Sequence, residues 1–127
     1  MQTFIKEINE IQPSQLYISR AKLDRVEDYL DAVELAEVGP LPVKELGGSV
    51  FFTDGHTRAF ALFKKGRSKV KVCWEEETLN WLQYLICIDW CQEAGINSTK
   101  DLKGNIINKK DYQKLWIDRC QRLEEKL

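Results

Sequence analysis

The run Phe52-Thr53-Asp54-Gly55-His56-Thr57-Arg58-Ala59-Phe60 joins two different periodicities across one glycine. Ser49-Val50-Phe51-Phe52-Thr53 enters it as an apolar, β-favouring run. Thr57 to Lys65 leaves it at helical spacing, with Ala59, Leu62 and Phe63 as the buried face. A chain that changes from strand to helix at this point is committed to a fold mixing both elements. Gly55 at the junction either takes a positive φ or lets another group approach the backbone closely. The helix after it starts with N–H groups that have no intrahelical partner. Those donors and the positive end of the helix dipole suit a phosphate. Arg58 adds a planar fork of donors matched to phosphate oxygens. His56, the one histidine of the chain, sits in the same turn. The same residues also describe a plain strand–helix turn, with Asp54 as a cap and Arg58 on the surface, because Gly-x-x-Arg is a short motif.

The segment Thr53-Asp54-Gly55-His56-Thr57-Arg58-Ala59-Phe60-Ala61-Leu62, with its flanks, resembles the phosphate-binding motif of the ParB/sulfiredoxin superfamily. In that superfamily a strand ends in a Gly-x-x-Arg turn and a short helix follows. ParB proteins carry Gly-Glu-Arg-Arg there, and sulfiredoxins carry Gly-Cys-His-Arg. The ParB-like free-serine kinases carry Asp-Gly-His-His-Arg, which is the version most similar to Asp54-Gly55-His56-Thr57-Arg58. Thr57 stands where those kinases have a second histidine.

Length and composition narrow the choice. At 127 residues the chain suits one domain with one core. A net charge of −1 gives no global pull toward nucleic acid or an anionic membrane. No N-terminal segment reads as a signal peptide, and the apolar stretch Trp81 to Ile88 is far short of the roughly 20 residues a membrane span needs. A cytoplasmic protein is expected. Cys73, Cys87, Cys91 and Cys120 each sit in apolar or aromatic surroundings, without the further ligands that zinc requires. They are expected to be reduced thiols, with no metal site.

Read in order, Phe4 to Ile11 is a first strand, broken near Asn9, and Pro13 ends it. The loop Gln12-Pro13-Ser14-Gln15-Leu16 resembles the Pro-Ser segment after the first strand of sulfiredoxins. Ser19 then caps a helix whose buried stripe is Leu23, Val26, Leu30 and Val33, reaching to about Leu35. Arg20 and Lys22 lie at its start, where cations oppose the helix dipole. They are either solvated there or face an anion. The superfamily has a basic residue at this helix start that approaches nucleotide phosphates, and Lys22 matches it. Pro40 to Leu46 and Ser49 to Thr53 form a hairpin around Gly47-Gly48. Lys69 to Trp74 alternates strictly, and its lysines read as edge-strand protection. The strand before Gly55, apolar at three consecutive positions, reads as interior.

The expected fold is therefore α+β, a ParB/sulfiredoxin-like small mixed sheet with packed helices, followed by a C-terminal helical extension. Residues 1–127 form one domain, with the sheet layer over 4–77 and the extension over 78–127. In the extension, Thr78 caps a helix from Leu79 to about Ala94 that is apolar on most sides. Ile96 to Ile107 is a loop or a short turn around Thr99-Lys100-Asp101-Leu102, and a last helix runs from about Lys109 to Lys126. Trp81, Trp90 and Trp116 are expected to pack on the sheet layer or to form an interface with a second copy or another protein. The tail lacks a basic recognition helix, so DNA is not the indicated partner.

The chemistry follows from what is present. Sulfiredoxin activity needs a cysteine in the turn, and His56 stands there. Nucleotide or phosphate binding remains, with ATP or ADP and Mg²⁺ as expected cofactors and phosphoryl transfer to a small-molecule acceptor as the expected reaction. Transfer needs positioning and charge neutralisation, which Lys22, Asp54, Gly55, His56, Thr57 and Arg58 supply as the nucleotide-binding set. Asp54 is the nearest carboxylate for a metal. Asp54, His56 and Glu27 are the candidate catalytic residues, and Glu45 is a further candidate for the base. The alternative is a non-catalytic ParB-like regulatory or adaptor module that contacts a partner through its C-terminal helices.

Overall fold

A computed structural model of the chain describes residues 2–127. The fold is α+β. Four strands, β1 (Thr3–Glu7), β5 (Lys69–Trp74), β3 (Leu41–Leu46) and β4 (Ser49–Phe52), form one mixed sheet in that spatial order. β1 and β5 pair antiparallel, β5 and β3 parallel, and β3 and β4 antiparallel. The remaining pair, β2 (Ile18–Ser19) and β6 (Ile106–Ile107), is a short parallel ladder. The helices are α1 (Arg20–Ala32), α2 (His56–Lys64), α3 (Trp81–Glu93), α4 (Lys109–Tyr112) and α5 (Asp118–Lys126). α4 and α5 are continuous through a π-helical segment, Gln113–Ile117.

Local chemistry explains most of these elements. The hairpin turns on Gly47 and Gly48 with φ of 59° and 83°, the pair of positive values that a two-residue turn between twisted strands requires. Ser19 caps α1 by accepting from the Lys22 N–H, and Gly66, at φ 88°, follows α2. Leu41, Val43, Phe52, Val70 and Val72 are buried, and α1 and α2 meet over one core with Leu23, Phe60 and Leu62. Trp116, Cys87 and Cys91 of the C-terminal helices belong to the same cluster. Among the described residues no helix is long and apolar enough to cross a membrane.

Several expectations are corrected. β5 is not an edge strand, because β1 and β3 flank it. Its lysines point out from one side of the sheet, and Lys69 stands 4.0 Å from Glu7, its cross-strand neighbour. β4 is not interior among the strands. It ends the order, and its free edge is closed by Gln12, which donates to Val50 O and accepts from the Phe52 N–H. Its apolar run reflects two covered faces. Phe52 lies in the core, while Phe51 packs against Trp81 and Tyr84 of α3. The first strand gives way to a 3-10 turn at Ile8–Glu10, and α1 stops at Ala32. Asn80, rather than Thr78, caps α3. The short turn expected around Thr99 to Leu102 is a 3-10 helix, Thr99–Asn105, and β6, which was not expected, follows it. Trp116 is buried, but Trp81 keeps 39% of its surface exposed.

Candidate functional site

The turn after β4 is held from three directions. The Thr53 N–H donates to Pro42 O, its hydroxyl donates to Glu75 Oε1 at 3.0 Å, and its carbonyl accepts from the Tyr84 hydroxyl at 2.9 Å. Asp54 Oδ1 accepts from the Gly55 N–H at 2.8 Å, leaving Gly55 itself as the N-cap of α2. Gly55 has φ 78°, and a Cβ there would stand 2.9 Å from Leu41 Cδ2 and 3.3 Å from Arg58 Nη2. Both reasons for a glycine hold at once: a left-handed backbone and a close approach. The first helical bond runs from the Ala59 N–H to Gly55 O, so the N–H groups of His56, Thr57 and Arg58 precede the ladder, and no side chain caps them.

His56 is buried, and Nε2 accepts from the Ser14 N–H at 2.9 Å. Ser14 in turn donates its hydroxyl to Phe52 O at 2.6 Å. The Phe52 ring meets the imidazole edge-on at 5.6 Å between centroids. Burial lowers the His56 pKa to about 4, with Asp54 pulling it up and Lys22 pushing it down. The ring is therefore neutral at pH 7, and because Nε2 accepts, its proton sits on Nδ1. His56 ties the Pro13-Ser14 loop to the turn and carries no charge toward a ligand.

The other predicted residues divide by position. Thr57 is buried beside His56. Lys22 is exposed and near enough to act on the His56 charge, as is Asp54. Arg58 lies back along the entry to β3, with Nη2 donating to Pro40 O at 3.3 Å, so one of its donors is already engaged. Glu27 is separate from this group. It pairs at 2.8 Å with Lys64, the last residue of α2, roughly 12 Å along the helix from its start. Its place there is an interhelical ion pair, beside a second between Lys65 and Asp31. Glu45 is exposed on β3.

A cleft of about 380 Å³ opens beside the turn. Ser14, Thr53 and His56 form one wall, and Tyr84 and Trp116 form part of the other. Gln15, also on the lining, donates to the Tyr112 hydroxyl at 3.0 Å and to Tyr17 O at 2.8 Å. Burial raises the pKa of Tyr84 and moves that of Tyr112 to about 12, and the Asp54 charge adds to both. Both hydroxyls are neutral hydrogen-bonding groups at pH 7. Glu77, Asn80, Gln83 and Glu124 make the far end polar and acidic. The π segment, which contains Trp116, builds this wall, and such segments recur at functional sites.

Asp54 suits Mg²⁺ as a single carboxylate, the number commonly used when substrate phosphates supply further ligands. Among the described residues no three His, Cys, Asp or Glu side chains gather into a metal site of their own. Sequence reasoning found the turn but not Tyr84, Tyr112, Gln15 or Trp116. Ser14 carried a signal only as part of the Pro-Ser segment.

The fold and this turn together define an α+β domain with a strand–glycine–helix junction opening on a cleft. The structure of protein Atu1540 from Agrobacterium tumefaciens is similar, with a TM-score of 0.51 at 13% identity, covering 76% of this chain and 50% of that one. The chain thus spans about half the length of that protein, and the likeness is one of fold. No family model matches, and neither does any curated protein.

Proposed function

We propose that this chain binds a nucleotide, ATP or ADP, with its phosphates at the start of α2, and transfers a phosphoryl group to a small-molecule acceptor in the adjoining cleft. The observation that carries the reading is the Gly55 junction. A glycine pressed against Leu41 in the left-handed conformation leaves the first N–H groups of α2 without partners in the fold, with Lys22 close by. Those donors and Lys22 bind phosphate oxygens. The Arg58 donors not used on Pro40 add to them. Mg²⁺ on Asp54 would neutralise phosphate charge. The acidic far end of the cleft suits an acceptor with hydroxyl or amine donors. His56, neutral and held by Ser14, positions the turn. With Glu27 engaged by Lys64, Asp54 is the carboxylate left at the turn, as the metal ligand or, without metal, as the base.

Melting the protein with ATP, ADP, CTP and GTP, with and without Mg²⁺, tests the binding. At about one hundred times Kd a ligand stabilises by roughly 2.7 kcal/mol. Lys22→Ala should lose most of that shift. If no nucleotide moves the wild-type transition, the turn is structural and the reading fails. Turnover with candidate small hydroxyl acceptors then tests transfer.

A second reading is supported by α3, on which Trp81, Leu82 and Leu85 are exposed, Leu82 at 56%. Such an apolar strip suits a second copy or a protein partner. In that case the chain is a regulatory or adaptor module. Light scattering through a dilution series distinguishes a dimer from a monomer.

A further inference from the structure

α3 runs antiparallel to the π segment and α5 along the cleft, and three contacts fix their register. Near the start of α3, Gln83 donates to Glu124 Oε1 at 3.1 Å. Near its end, Trp90 meets Trp116 edge-on at 6.2 Å between centroids, and the Arg119 guanidinium lies 3.8 Å from the Trp90 ring centre. One turn from Gln83 on α3 is Cys87, and one turn back from Glu124 on α5 is Cys120. The register therefore sets the two cysteines opposite each other. Both line the cleft, with the two thiols near enough for each to shift the acidity of the other. Both are free thiols.

We propose that Cys87 and Cys120 are an oxidisable dithiol, which peroxide converts to a disulfide that staples α3 to α5 in the wall of the cleft. The site is independent of the nucleotide reading. In the first step the Cys87 sulfur attacks one oxygen of hydrogen peroxide. The S–O bond forms as the O–O bond breaks, and the departing hydroxide leaves as water with the thiol proton. In the second step the Cys120 sulfur attacks the resulting sulfenic acid. The S–S bond forms, the S–O bond breaks, and a second water leaves with the Cys120 proton. Two thiols are oxidised by two electrons, and one peroxide is reduced to two waters.

The other two cysteines are less suited. Cys91 is fully buried, and burial drives its pKa up to about 12. Cys73 lies on β5, away from α3 and α5, and burial raises its pKa. The neighbouring Cys120 thiol, against the opposing effect of burial, holds the Cys87 pKa below its ordinary value, which favours the attacking thiolate. Cys87 keeps 5% of its surface exposed, and with Cys120 it lines the cleft of about 380 Å³, which has room for an oxidant of peroxide's size.

The test uses the wild-type chain. It is treated with hydrogen peroxide while folded, then denatured, alkylated and mapped without reductant. The expected result is loss of two of the four alkylatable thiols, recovery of one intramolecular Cys87–Cys120 peptide pair, and reversal by dithiothreitol. In Cys120→Ser the same treatment should leave a sulfenic acid on Cys87, trapped by dimedone. Retention of all four thiols, a link that uses Cys73 or Cys91, or a disulfide between chains would each overturn the proposal.

Discussion

Replacing Gly55 with alanine separates the two reasons for a glycine there. The left-handed backbone costs an L-residue roughly 1–2 kcal/mol. The new Cβ also meets Leu41 Cδ2 at 2.9 Å, and Leu41 is buried in the core with little room to move. Overpacking of that kind costs roughly 1–3 kcal/mol. Arg58 Nη2, at 3.3 Å, is the end of a flexible chain and gives way. The sum is about 2–5 kcal/mol, against a typical domain stability of roughly 5–15 kcal/mol. For 127 residues each kcal/mol moves Tm by roughly 4 °C, so the transition should fall by about 8–20 °C. Gly47→Ala is the control. Gly47 has φ 59° and nothing within 4 Å of its Cβ position, so it carries the backbone cost alone. Urea unfolding of both variants gives the contact cost by difference. Equal losses in the two would refute the close approach as a reason for Gly55.

His56→Gln should abolish a component of acid sensitivity. The folded pKa of about 4 lies below the ordinary value of 6.5, so the unfolded chain binds the extra proton between them. That stability is complete above about pH 6.5 and is lost as pH falls toward 4, by at most about 3 kcal/mol. Urea unfolding across this range should show a steeper pH dependence for wild type than for His56→Gln, and parallel curves would count against a buried neutral imidazole. Arg58→Ala should cost about 1 kcal/mol without ligand, since it loses the bond to Pro40 O, and a thermal melt reads that directly. Lys22→Ala should leave the ligand-free melt unchanged, because the side chain is exposed, while reducing the response to nucleotide. Tyr84→Phe should cost about 1 kcal/mol through the lost bond to Thr53 O, measured by urea unfolding, and no loss would show that water replaces the hydroxyl.

The elements that could be read from the sequence were those with local causes. Gly47-Gly48 specifies its turn by backbone conformation, and Ser19 caps α1 through a bond three residues away. Strand neighbours have no such local record. Alternation in Lys69-Val70-Lys71-Val72 states which face each side chain takes, and it is silent on which strands lie alongside. The same limit applies to Val50-Phe51-Phe52, where three apolar residues report two covered faces on a strand that ends the sheet order. β2 and β6 are two residues each and exist only because the chain folds back, so neither has a pattern to recognise.

The site divides along the same line. Asp54 to Arg58 is contiguous, so its geometry was open to reasoning from glycine and helix-start chemistry. The opposite wall comes from α3 and the π segment, where Trp116 reads in sequence as a packing residue and Tyr84 has no signal of its own. Residue type alone also does not show how burial sets a role. An imidazole near its ordinary pKa exchanges protons at neutral pH, as His56 would have to do as a proton carrier. Enclosed beside Phe52 and accepting from Ser14, it keeps one protonation state throughout that range. Glu27 was a candidate because a carboxylate can act as a base, yet its helix carries it to the far end of α2, where Lys64 meets it. Of the three candidates this leaves Asp54 at the turn, and under the proposed transfer chemistry it is the residue to test. If Asp54→Asn binds nucleotide as tightly as wild type and turns over as fast, the turn holds phosphate without acting on the acceptor.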